Sequence, residues 1–155
     1  MKRKSTVRFC FTMIIIILFD QLSKWLVVSN MEPGQSLPLI QGIIDLTYVQ
    51  NRGAAFGLFD GSIWLFIICA IVVVAAISIY NFRHPLPGSM QIILGLITGG
   101  ASGNFIDRFF HQYVIDFFDL GWWPVFNIAD MALVCGGILL IIYTYKYEEN
   151  EKLND

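Results

Sequence analysis

The chain reads as an α-helical membrane protein with four transmembrane helices, both termini cytoplasmic, and a small β-containing region on the outer side. Three observations predict this. The 155 residues are 56% hydrophobic and only 14% charged, too apolar for an ordinary soluble domain. Apolar stretches at residues 9–28, 62–80, 90–110 and 125–145 each approach the roughly 20 residues that a helix needs to cross about 30 Å of hydrocarbon. Lys2, Arg3, Lys4 and Arg8 precede the first stretch, Arg83 separates the second from the third, and Lys146 and Lys152 follow the fourth. Four crossings place all of these on one side, which the positive-inside rule makes cytoplasmic.

The elements follow in order. The first stretch is too long for the apolar core of a signal peptide, and no small-residue cleavage site follows it. It contains Asp20 and Lys24, four apart and therefore on one helix face, where they can pair. At 1.5 Å per residue, Asp20 lies roughly 12 Å from the outer end. Residues 29–61 form the first outer connection, with Pro33, Gly34, Pro38 and Gly42 as breakers and a strand-like run at 43–49; a small sheet on the outer surface is expected. The segment Asn51-Arg52-Gly53-Ala54-Ala55-Phe56-Gly57 suits either a close backbone approach to a partner chain or a loop folded onto the bilayer.

The third stretch carries Gly99, Gly100, Ala101, Ser102 and Gly103, then Asn104, Asp107 and Arg108. The small residues suit close helix contact; an amide, a carboxylate and a guanidinium on one face suit either ligand positioning or internal pairing. The second outer connection, 111–124, holds Asp116 between apolar neighbours, Asp119 as a turn acid, and Trp122 and Trp123 for the interfacial belt. Asn127 and Asp130 share a face at the start of the fourth stretch, where a helix dipole favours an acid. A single membrane domain over 1–147 and a charged, solvated or disordered tail at 148–155 complete the division. Cys10, Cys69 and Cys135 lack ligand or disulfide spacing and read as buried small side chains.

Carboxylates near lipid are costly, and two close together do not easily both ionise. Asp116 and Asp130 therefore suggest a shared proton and acid/base chemistry at the membrane surface. An ion path through Asp20, Asp107 and Asp130 is a second reading, but it predicts polar residues through the whole depth, and the inner halves of the first, second and fourth stretches are almost purely apolar. A non-catalytic anchor is a third. No zinc-type His/Glu spacing or phosphate loop is present, and Ser62 and Ser102 have no base partner in sight, so neither a metal nor a serine nucleophile is expected.

Five blocks, D-Q-L-S-K at 20–24, N-R-G-A-A-F-G at 51–57, G-G-A-S-G-N-F-I-D-R at 99–108, V-I-D-F at 114–117 and F-N-I-A-D at 126–130, together resemble the lipoprotein signal peptidases (signal peptidase II), bacterial membrane-embedded aspartic proteases. The resemblance runs through nearly the whole chain. It implies cleavage of the signal peptide from prolipoproteins already carrying a diacylglyceryl group, immediately before the lipid-modified cysteine. It places the catalytic aspartates at Asp116 and Asp130 and the other motif polar residues at Asp20, Lys24, Asn51, Asn104, Arg108 and Asn127, with Arg52 beside them. On this reading Asn104 and Arg108 hold the substrate backbone, Asn127 orients the dyad, Asn51 and Arg52 close over the peptide, and Asp20 and Lys24 brace the site. No cofactor is implied. The expected partners are the prolipoprotein, membrane lipid and a globomycin-type inhibitor, with no nucleic acid, and the protein is expected to be a monomer in the bacterial cytoplasmic membrane with its site toward the extracytoplasmic face.

Overall fold

The computed structural model describes residues 6–53 and 62–152; Ala54 to Gly57 of the second block lie outside the described residues. Four helices and three strands follow in the order α1 (Val7–Asn30), β1 (Ser36–Ile40), β2 (Ile44–Asn51), α2 (Ile63–Arg83), α3 (Gly88–His111), β3 (Val114–Asp119) and α4 (Ile128–Lys152). The four apolar stretches correspond to the four helices; α1 and α3 extend a little at both ends, while α2 and α4 begin slightly later and end later than the stretches. The helix α4 continues to Lys152, into the segment read as a charged tail; Glu and Lys are good helix formers, and an apolar helix already nucleated can propagate through them.

Three helices, α1, α2 and residues Ile128–Tyr147 of α4, are long and apolar enough to cross a membrane. The helix α3 is equally long but rich in glycine and polar residues, and its place in the bundle explains why. It is the centre: α1, α2 and α4 all pack on it, so it needs close approach more than lipid solubility. A Cβ at Gly99 would lie 2.8 Å from Ile16 Cβ and 3.0 Å from the Met13 carbonyl of α1, so only glycine lets the two backbones come this near. The helix α2, by contrast, packs chiefly on α3 and buries only Ile67 and Asn81.

The arrangement leaves most large apolar side chains of α1, α2 and α4 facing outward. This corrects the expectation for the cysteines: Cys69 and Cys135 are exposed and Cys10 is half-buried. In a bundle whose surroundings are lipid, an apolar position is as often outside as inside.

The sheet has the order β1-β2-β3, antiparallel throughout. The anticipated strand at 43–49 is β2, shifted by a residue or two, and β3 is a strand where a loop was expected. The reason is its composition. Val114, Ile115, Phe117 and Phe118 favour a pleated, half-buried surface, but Asp116 interrupts the apolar pattern and hides it. Gln112 adopts the left-handed conformation (φ 64°) at the end of α3 and donates its N–H to the Arg108 carbonyl, which turns the chain directly into β3. Val27 and Met31 at the C-terminal end of α1 pack with Tyr48, Ile115 and Phe117. That small core seats the sheet on the bundle and aims Asp116 at the helices.

Candidate active site

The site begins with the entry of α4. Asn127 Oδ1 accepts the Asp130 N–H at 2.9 Å, and Asp130 Oδ2 accepts the Asn127 N–H at 3.2 Å. This is the reciprocal geometry of a capping box, so Asp130 is fixed by the start of its own helix. The next amide in line, Ala129 N–H, donates to Asp20 Oδ1 of α1 at 2.9 Å. Asp20 thus caps α4 from a distant helix and sets how α4 lies against α1 and α3. A Cβ at Gly103 would fall 2.5 Å from Asp20 Oδ2 and 3.1 Å from Ala129 Cβ, so the three helices meet at that glycine.

Asp116 reaches the same place from β3. Its carboxyl is 2% exposed. Oδ1 accepts from Asn127 Nδ2 at 2.7 Å and Oδ2 from Asn51 Nδ2 at 2.8 Å. Asn127 therefore holds both carboxylates, Asp116 with its side chain and Asp130 with its backbone. Asn104 Nδ2 donates to Asp130 Oδ1 at 2.7 Å. Burial and the charge of nearby Asp130 push the Asp116 carboxyl up to about 7, against the pull of the Asn51 amide, Lys24 and the Asn127 amide. An acid in that range keeps a proton near neutrality and can give it up.

Asp20 and Lys24 pair as the spacing predicts, at 2.8 Å, but Lys24 also meets Asp107 Oδ2 at 2.8 Å. Both pairings exist at once, so internal pairing is the role of Asp107. It also accepts the Ile115 N–H at 3.1 Å, while Gln21 Nε2 bridges Asp107 at 3.0 Å and Asp20 at 3.1 Å. This charged knot lies directly behind the two carboxylates.

In front of them opens a cleft of about 470 Å³, which Asn51, Gly53, Asn104, Arg108, Asp116 and Asp130 line together with apolar residues of α2, α4 and the segment before α4. Arg108 pairs with no carboxylate among the described residues. Its Nη2 donates to the Gly53 carbonyl at 3.4 Å, its guanidinium lies 4.7 Å from the Phe66 ring centre, and its buried Nε has no partner. Arg52 is exposed and does not line the cleft. Asn104 lines the cleft with its Oδ1 engaged by Lys24 and Asn127 and its Nδ2 donating to Asp130, so its amide orients a carboxylate.

Sequence reasoning passed over Gln21 and the α2 wall of Phe66, Cys69 and Val73. Gln21 had a signal, a polar side chain in an apolar span between two charges. The α2 wall had none, because an apolar residue facing a cleft looks like one facing lipid.

The family described as signal peptidase (SPase) II matches residues 12–146. Curated relatives named lipoprotein signal peptidase include one from Syntrophomonas wolfei subsp. wolfei, 50% identical and covering 96% of this chain and 99% of its own length. Another, from Halothermothrix orenii, is 46% identical over 88% of this chain and 94% of its own. A solved structure described as a bacterial membrane enzyme, determined by the in meso method at 2.3 Å resolution, superposes with a TM-score of 0.85 at 34% identity, covering 92% of this chain and 90% of that one. With a family match across nearly its whole length, relatives this close and a shared fold, the chain belongs to the signal peptidase II family.

Proposed function

We propose that this protein is a membrane-embedded aspartic endopeptidase that removes signal peptides from diacylglyceryl-modified prolipoproteins, cutting before the lipid-modified cysteine. The carrying observation is that Asp116 and Asp130 face one cleft, are held by one asparagine, and have only amide donors bonded to them. The names of the relatives supply the substrate class.

In this reading the two carboxyls share one proton. The ionised one takes a proton from a water as its oxygen attacks the scissile carbonyl carbon; the protonated one gives its proton to the carbonyl oxygen. The tetrahedral diol then collapses: the leaving nitrogen takes a proton from the protonated carboxyl, the C–N bond breaks, and a diol hydroxyl gives its proton to the other carboxylate, which restores the singly protonated dyad. Because the titration belongs to the pair, the elevated Asp116 carboxyl describes the dyad's second proton. Arg108, with donors not bonded to any carboxylate, holds a substrate carbonyl; Asn51 and Asn127 keep Asp116 in place.

All four helices span the membrane in this reading, with α3 shielded by its neighbours. Arg8 packs against Gly88, and Phe9 meets Phe82 with ring centres 6.0 Å apart, so the start of α1 and the α2–α3 turn share one end. Arg8, Arg83 and Lys146 mark that end as cytoplasmic, and the cleft then opens toward the extracytoplasmic face of a bacterial cytoplasmic membrane. There a signal peptide and a diacylglyceryl group both remain in lipid while the scissile bond meets the dyad. A peptide-like inhibitor of the globomycin type would fill the same cleft. The protein acts as a monomer without cofactor.

The test is cleavage of a lipid-modified prolipoprotein peptide by the purified protein in detergent, with and without EDTA. Cleavage before the modified cysteine, insensitive to EDTA and lost in Asp116→Asn and in Asp130→Asn, is expected. Full activity in both variants would remove the dyad, and EDTA sensitivity would make this a metal enzyme.

A further inference from the structure

Lys24 does more than neutralise acids. It is 1% exposed, and an ammonium has three N–H donors. Its Nζ meets three groups: it donates to Asp20 Oδ2 at 2.8 Å, forms an ion pair with Asp107 Oδ2 at 2.8 Å, and donates to Asn104 Oδ1 at 3.1 Å. Two of these contacts balance charge. The third is to a neutral amide whose oxygen also accepts from Asn127 Nδ2 at 3.0 Å. With donors on both lone pairs, the Asn104 carboxamide has one orientation. A half-turn would set its NH2 against the Lys24 ammonium and the Asn127 NH2, donor against donor, and would turn its oxygen onto the Asp130 carboxylate. The orientation that remains aims Asn104 Nδ2 at Asp130 Oδ1, 2.7 Å away.

The geometry points to Lys24 as a positioning residue of the reaction: its third N–H locks the Asn104 amide so that it donates to Asp130 and holds that carboxyl toward Asp116. This rests on the dyad reading above. A structural ion pair would need only Asp20 and Asp107; it would leave the Asn104 contact without consequence for turnover.

A pair of charge-balanced double variants separates the two roles. K24M/D107N removes one positive and one negative charge, so the knot keeps its net charge but loses the donor to Asn104. K24Q/D107N has the same charge and restores an amide N–H at that position. Both are assayed as full-length protein on the lipid-modified peptide. Misplacing a reacting group slightly can cost about 100-fold, so the methionine variant should lose about 10- to 100-fold in kcat with KM nearly unchanged. The glutamine variant should recover most of it at the same thermal midpoint. Equal kcat in the two variants, or a loss confined to KM, overturns the inference. Should the methionine variant not fold, the intact protein decides through 15N-labelled asparagine. A locked Asn104 keeps the side-chain N–H that it donates to Asp130 slow to exchange with water, and fast exchange of both its side-chain N–H protons overturns the inference. Full activity in Asp130→Asn would instead remove the dyad itself, so failure of the inference and failure of the underlying reading are distinguishable.

Discussion

Two pairs of aspartates sit back to back in this molecule, and they are built differently. Asp20 and Asp107 have a cation between them, with Lys24 Nζ at 2.8 Å from each. Asp116 and Asp130 have amides around them and no salt bridge among the described residues. Among the described residues, Arg108 is a further cation nearby, and it is turned toward Gly53 and Phe66. A carboxylate bonded to a buried cation is taken up by an ion pair and braces the fold. In the proposed mechanism, a carboxylate held by neutral donors beside another carboxylate shares one proton with it. On the proposed function the same residue type serves packing on one side of Asn104 and chemistry on the other; Asn104 touches Lys24 on one face and Asp130 on the other.

The largest expected effects break the comparison in opposite ways. Asp130→Asn and Asp116→Asn should each lower kcat by about 10²- to 10⁴-fold, the range for losing an acid or base, with little change in the thermal midpoint. Asp20→Asn should do the reverse. It breaks a buried pair, which destabilises by roughly 3–5 kcal/mol, while the folded fraction loses far less activity than either dyad variant. Purified variants measured by both peptide cleavage and thermal melting decide it; equal stability loss in all of them would erase the distinction between the pairs.

Much of this was legible in the sequence, for identifiable reasons. Asp20 and Lys24 could be paired because helix spacing is local, and Asn127 with Asp130 because a cap is local too. The four helices were readable because length and apolarity are one-dimensional properties. What depended on long-range placement was not readable. Lys24 reaches Asp107 across two helices, so the choice between Asp20 and Asp107 stayed open until both were seen at 2.8 Å. Asp116 broke the pattern of the strand that carries it. That Lys24, Asn127 and Asp130 all bond the Asn104 amide is not legible either, because these contacts join separate elements of the chain. Arg52, adjacent to Asn51 in the chain, is exposed and does not line the cleft, and adjacency in sequence does not tell the two apart.

The pH dependence sharpens the comparison with a smaller effect. Asp116 lies outside the helices, and burial with the Asp130 charge raises its carboxyl from 3.8 to about 7. The folded protein therefore binds this proton more tightly than the unfolded chain. Its stabilising contribution is complete below about pH 4 and is lost as pH rises through about 7, at about 1.4 kcal/mol per pH unit at most. Cleavage, which needs that proton, should fall about tenfold per unit above the same point. Rates and melting midpoints from pH 5 to 9 test both. A rate flat to pH 9 would place the working proton elsewhere, and the melting slope should flatten in Asp116→Asn.

The smallest effect belongs to a third kind of aspartate on the same strand. Asp119 is three residues from Asp116, so on a regular strand it points to the opposite face. It is partly exposed, accepts from Thr47 Oγ1 at 2.9 Å and from the Gly121 N–H at 2.8 Å, and lies across from Asp45 on β2. Like charges directly opposite on neighbouring strands repel. Asp119→Asn keeps an oxygen for the Gly121 turn and removes that repulsion. Stability should stay within about 1 kcal/mol of the wild type, and the cleavage rate should be unaltered. A loss of activity comparable to Asp116→Asn would mean that the reactive face of β3 is the other one. Burial beside a second carboxylate, with no cation to settle the charge, would then no longer be what separates a working acid from a structural one.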